Sequence, residues 1–180
     1  MKYLVLLLFL AGCASKESVP VKTYDLGASA PKAVLPALRA VAVRTAMPFD
    51  GVEMYYRLHY RDSVEIAPFA NSRWAAPPPE LVRRQILRAL HASGAAQCAL
   101  EVELQDFSQV FTAKDASEAR IELRASVGTG NSRVASKSFT ISDNQAGANA
   151  ASGASALSRA AERAIGELGA WIAAQPGCKS

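Results

Sequence analysis

Apolar and polar positions alternate with period two over three stretches of the second half of the chain. Cys98, Leu100, Val102 and Leu104 alternate with Ala99, Glu101, Glu103 and Gln105, and Ile121, Leu123, Ala125 and Val127 alternate with Arg120, Glu122, Arg124 and Ser126. Ala135, Phe139 and Ile141 continue the pattern after a turn at Gly128-Thr-Gly-Asn131. Period two with one apolar face predicts antiparallel strands packed on one side and wetter on the other. Across the first two, Glu101 or Glu103 can pair with Arg120 or Arg124, worth under ~1 kcal/mol each.

Earlier in the chain, Leu35 to Arg44 predicts a strand covered on both sides, with Leu38, Ala40 and Ala42 on one face and Val41 and Val43 on the other. Glu53 to His59 and Ser63 to Phe69 predict a hairpin about a Tyr60-Arg61-Asp62 turn. The pattern then changes to helical. A helix is expected from the prolines at 77–79, with Glu80 in its first turn and Gly94 as its stop; Val82, Ile86, Ala89 and Leu90 form its apolar stripe, and Arg84, Arg88 and His91 lie on another face. A loop rich in Ala, Gly and Asn (Asn144 to Ser152) precedes a last helix, in which Leu157, Ala161, Ala164, Ile165, Leu168, Trp171 and Ile172 recur at helical spacing. The expected fold is α+β: a mixed, mostly antiparallel sheet with two amphipathic helices packed on its apolar side.

The first residues belong to a different pattern. Lys2 is followed by an unbroken apolar run from Tyr3 to Leu10 and by the small pair Ala11-Gly12. That is the form of a secretory signal peptide, and it falls well short of the ~20 apolar residues needed to span a bilayer. Leu10-Ala-Gly-Cys13 resembles a bacterial lipobox, which implies cleavage before Cys13 and acylation of that cysteine. The expected organisation is a signal peptide at 1–12, a lipidated tether at 13–21 and a single domain at 22–180. A tether of that length reaches at most ~35 Å. Two or three acyl chains make such an anchor stable where one would not. The residue after Cys13 is Ala14 rather than the Asp that marks retention at the inner membrane, so the expected location is the periplasmic face of the outer membrane.

Composition narrows the chemistry. The formal net charge is +4, one unit of it from Lys2, too small to imply nucleic acid. The two histidines, His59 and His91, stand far apart with no partner at metal-ligand spacing, and Gly128-Thr-Gly130 links two strands where a phosphate-binding loop would lead into a helix. Gly153-Ala-Ser155-Ala-Leu157 lacks the second glycine of a nucleophile elbow. The expected protein is therefore not an enzyme, with no catalytic residues, cofactor or metal. Candidate partner contacts are the aromatics Tyr55, Tyr56, Tyr60 and Trp74, which suit either an interface or a core, and the cations Arg84 and Arg88, which suit either an anionic partner or a solvated helix end. In an oxidising compartment Cys98 and Cys178 can form a disulfide. The alternative is a buried thiol and an exposed one.

Tyr24-Asp-Leu26, the stretch RLHYRDSVEIAPFANSRWAAPPPELVRRQILRAL, the run LEVELQDFSQVF and an Ala-rich last helix ending in Trp171 together resemble the ABC-type transport auxiliary lipoproteins, a family that includes the Pqi-type outer-membrane lipoproteins. The resemblance covers nearly the whole chain after Cys13, and Cys98 departs from it. It implies a docking subunit for a periplasm-spanning MCE protein, working with an ABC permease and ATPase that move lipid between two membranes, and it allows a homo-oligomeric ring. A different expectation is a periplasmic lipid carrier with its own apolar cavity.

Overall fold

A computed structural model of the chain describes residues 19–28, 32, 34–90, 98–130 and 132–178. The signal peptide, Cys13, most of the tether, Asn131, His91 and Gly94 lie outside the described residues. Seven strands form one mixed sheet: β1 (Lys22–Tyr24), β2 (Ala40–Thr45), β3 (Glu53–Leu58), β4 (Ala67–Trp74), β5 (Cys98–Phe111), β6 (Ser117–Thr129) and β7 (Ser132–Ala146). Two helices, α1 (Pro78–Ala89) and α2 (Ala150–Ala173), complete the α+β fold, and a 3-10 turn at Pro176–Cys178 closes it.

The period-two stretches form the antiparallel ladder β5-β6-β7, with Leu100 opposite Val127 and Leu123 opposite Phe139. Its apolar positions from Cys98 to Leu104 and from Ala119 to Val127 are buried, while Glu101 and Glu103 are exposed. Glu103 faces Arg124 in register as expected, whereas Glu101 pairs instead with Arg44 of β2 at 3.0 Å and Arg120 pairs with Glu118 of its own strand.

β5 is longer than its alternation suggests. A register shift between Leu104 and Asp106 admits one extra residue, and from there to Phe111 every position is buried. Such a bulge bends a strand and raises its twist. Before it, β5 pairs in parallel with β2; beyond it, with β3. β2 and β3 thus lie end to end along one edge of β5, and β4 and then β1 extend the sheet past β3.

Four expectations are corrected. β2 begins at Ala40 rather than Leu35 and is covered on one side only: Val41 and Val43 turn inward, and Ala40, Ala42 and Arg44 face solvent. Small alanines made its exposed face read as apolar. The second hairpin strand starts at Ala67, not Ser63, because the chain makes a turn in which the Val64 N–H donates to Asp62 Oδ1 at 2.9 Å, a local bond that competes with ladder pairing. α1 stops at Ala89, where Leu90 turns extended and bridges Leu35. The expected loop from Asn144 is instead the end of β7, and α2 starts at Ala150, capped by Asn149, whose side chain accepts from the Ser152 N–H.

α1 carries the expected prolines at its first positions and Glu80 in its first turn. It buries Leu81 and Gln85 as well as Val82, Ile86 and Ala89. Gln85 Nε2 donates to the carbonyls of Leu26 and Gly27 at 2.9 Å, and Ser158 Oγ of α2 donates to the Leu26 carbonyl at 2.8 Å. Both helices therefore grip the chain just after β1, where Gly27 takes a left-handed φ of 85°, which only glycine adopts without cost.

α2 lies across β6 and β7. At Gly153 it comes so close to β5 that a Cβ would collide with the Gln109 side chain, whose Nε2 donates to Ser117 Oγ and the Gly147 carbonyl. At β7, the nearly buried Asp143 carboxylate accepts from Arg159 Nε and Nη2 at 3.0 Å and from Arg163 Nη1 at 2.9 Å. These hydrogen bonds raise the Arg159 pKa against an opposing effect of burial. Asp143→Asn is expected to cost about 1–2 kcal/mol, held down by the roughly half-exposed arginines. A urea midpoint unchanged from the wild type would refute it.

The cysteines are joined. Cys98 at the head of β5 and Cys178 in the closing turn form a disulfide with Cα atoms 5.2 Å apart, within the range such bonds need.

Candidate functional site

The six candidate contact residues do not meet at one surface. Trp74 is 1% exposed and packs edge-on against Phe107 with ring centroids 5.3 Å apart. It is a core residue, and the expectation that it contacts a partner is corrected on that ground. Tyr56 packs against Phe69 with the rings tilted by 45° and meets Phe111 edge-on, whereas Tyr55 lies on the opposite face of β3 with Phe49 at 5.7 Å. Tyr60 is exposed at the β3–β4 turn. Arg84 and Arg88 sit on the outer face of α1, each already engaged: Arg84 Nε with Glu80 at 2.9 Å, Arg88 Nη1 with the Gly27 carbonyl at 2.8 Å.

The larger surface is the face of the sheet turned away from the helices, and it has two parts. Toward the Phe111 end of β5 it is covered. Asp106, Ser108 and Val110 are buried there although they alternate with the helix-facing Phe107, Gln109 and Phe111. Phe49, from the β2–β3 connection, is buried against Tyr55, and Arg57 pairs with Asp106 at 3.1 Å. Burial, and then the Glu53 and Asp50 carboxylates, raise the Tyr55 pKa. Among the described residues, Asp106 Oδ1 and Ser108 Oγ find no hydrogen-bond partner. Sequence reasoning missed this covered polar patch. Its signal was the run Gln105-Asp-Phe-Ser-Gln109, where polar residues occupy both faces of a strand flanked by apolar stretches.

Toward the Cys98 end the face is bare. An open recess of ≈ 380 Å³ is lined by Ala99, Glu101, Ser126, Val127, Gly128, Gly130 and Ser132. A smaller one of ≈ 180 Å³ adjoins it, between Arg44, Glu101, Glu103 and Arg124. Small residues along the first and charges of both signs along the second make a shallow polar surface. Such a face suits contact with another macromolecule better than enclosure of a small apolar molecule. Among the described residues, no group of three His, Cys, Asp or Glu side chains is placed to hold a metal ion, and no helix is long and apolar enough to cross a membrane.

No protein-family model matches the chain, and no curated protein matches it. Solved structures do. The chain is similar to the crystal structure of a Xanthomonas campestris protein of the DUF330 family, at 20% identity and a TM-score of 0.66, covering 84% of this chain and 91% of that one. It is also similar to the crystal structure of an uncharacterized protein, at 13% identity and a TM-score of 0.65, covering 86% and 99%. At these identities the likeness is one of fold, and it extends over nearly the whole described domain.

Proposed function

We propose that the chain is a lipid-anchored, non-enzymatic docking subunit on the periplasmic face of the outer membrane, an auxiliary component of an ABC/MCE-type system that moves lipid between membranes. The observation that carries the reading is Leu10-Ala-Gly-Cys13 directly after a short apolar run. It supplies an anchor and a compartment, and that compartment accords with the Cys98–Cys178 disulfide. The resemblance of the hairpin, α1 and Trp171 regions to the auxiliary lipoproteins supplies the role. The bare end of the sheet offers a surface for a macromolecular partner, and its open, polar recesses favour docking over carriage of an acyl chain in a private cavity.

The anchor and the partner are tested separately. Cys13→Ser is expected to release the chain from the membrane fraction, while wild type floats with membranes in a density gradient. Full-length wild-type chain, solubilised in mild detergent, is expected to bring down an MCE-domain protein. Recovery of the permease without this chain in the same preparation would overturn the docking role. Acyl lipid extracted in stoichiometric amount from the Cys13→Ser chain would favour a carrier instead.

A further inference from the structure

We infer that the β3–β4 turn, with Tyr60 and Val64 at its tip, rests on the surface of the bilayer that holds Cys13, as an apolar contact with its lipids. The inference rests on the reading of Cys13 as an acylated anchor and goes beyond it, because an anchor alone does not orient a domain.

The strand directions locate the turn. β1 is parallel to β4, and β4 is antiparallel to β3, so the chain runs into β1 from the direction in which β3 finishes and the β3–β4 turn lies, joining the sheet at Ser72, five residues beyond the start of β4. The C-terminal end of β5 is at that same end, through its parallel register with β3. Only five residues separate Cys13 from Val19, six steps of chain that span at most ~21 Å when fully extended. The chain thus comes to the domain from that side of the sheet, and the β6–β7 turn, at the Cys98 end, lies at the opposite end.

Exposed apolar side chains occur on several parts of the surface, Met47 at 82% and Val134 at 41% among them, and one group of them lies toward the anchor. Val19, Val21, Tyr60 and Val64 are exposed, Val64 at 80% and Tyr60 at 40%, and all four belong to the entering chain or to the neighbouring turn. The turn is built to hold its tip out: the N–H groups of Arg61 and Asp62 donate to the Leu58 carbonyl, and Asp62 Oδ1 accepts from the Val64 N–H. A tyrosine with a wet hydroxyl and an apolar ring is suited to the headgroup region. The turn's charges are Arg61, Asp62 and Glu65, so it has no cationic attraction for anionic lipid. The partner it fits is the apolar fringe of an electroneutral bilayer.

The test uses full-length acylated chain reconstituted into phosphatidylcholine vesicles containing bromine-labelled acyl chains, with tryptophan placed at the tip (Val64→Trp) or at the far end of the sheet (Val134→Trp). Emission is read as the difference from wild type, whose Trp74 is buried and whose Trp171 is half-buried. A side chain seated ~5–10 Å into the headgroup–acyl boundary meets the label, and the Val64→Trp increment is expected to fall about two-fold while that of Val134→Trp is unchanged. Chain that floats with the vesicles but leaves Val64→Trp unquenched overturns the inference and spares the anchor. Quenching that appears only when phosphatidylglycerol is added also overturns it. Wild-type chain that fails to float overturns the anchor reading, and this inference with it.

Discussion

Cys178→Ala is expected to lower the unfolding free energy of the oxidised protein by about 4 kcal/mol. The bond from Cys98 closes a loop of 80 residues, and in the chain-entropy treatment a loop of that size restricts the unfolded chain by about that amount. A second effect acts in the folded state. The closing turn is covalently tied to β5, so the end of α2 is held against the head of the central strand. Urea unfolding of wild type with and without reductant provides the measurement, and the reduced wild type should converge on Cys178→Ala. Thiol titration of the denatured, unreduced Cys13→Ser protein should find no free thiol. Two thiols, or midpoints indifferent to reductant, would show that the bond does not form in solution.

Trp74→Ala is the other substitution with a large expected cost, about 3–5 kcal/mol, in line with truncating a fully buried aromatic. Trp74 lies where β4 ends and the chain turns toward α1, beneath Phe107 of the strand to which β3 pairs. Its indole N–H has no partner within the protein. Trp74→Phe therefore removes no hydrogen bond, and it should cost distinctly less than the alanine. Tyr60→Ala, at an exposed tip, should stay within about 0.5 kcal/mol of wild type. Thermal or urea unfolding of the three variants separates a core aromatic from a surface one. Equal losses for Trp74→Ala and Tyr60→Ala would contradict the burial described here. The distinction matters for function as well: partner binding lost in Trp74→Ala would report unfolding, whereas loss in Tyr60→Ala would report contact.

What was legible in the sequence follows from where burial is one-sided. From Cys98 to Leu104 and from Ile121 to Val127 each residue type reports its own face, and the strands, the turn after them and the buried positions follow directly. The same logic fails from Asp106 to Phe111, because a segment buried on both faces shows no alternation, and two of its polar members, Asp106 and Gln109, are held by Arg57, Ser117 and the Gly147 carbonyl, which the sequence does not place beside it. It fails for β2 in the opposite sense, since alanine is apolar enough to suggest burial and small enough to sit in water. The parallel pairing of β2 and β3 with β5 has no local signature. Nor does the Gly27 carbonyl that Arg88 reaches, which only tertiary proximity supplies. The two later cysteines were readable as a possible pair, yet the 5.2 Å between their Cα atoms exists only once the last helix has packed. The aromatic cluster shows the limit most plainly, because neighbours in sequence were dispersed to opposite faces of one strand, a turn and the core.

The end-to-end placement of β2 and β3 along β5 also sets an order of assembly. Thr45 donates to the Leu104 carbonyl across 59 residues of chain, and neither β2 nor β3 has its neighbour on the β5 side until that strand has been made. β5, β6 and β7, by contrast, follow one another through short turns and form a meander that closes locally. In a chain delivered from its N-terminus, residues 40–58 arrive first and are completed late. Non-local parallel pairing of this kind is slow and leaves strand edges open in the interval. β2 thus spends the longest time unpaired and β3 has one open edge, and the burden of keeping them from other chains falls on whatever receives the polypeptide before β5 appears.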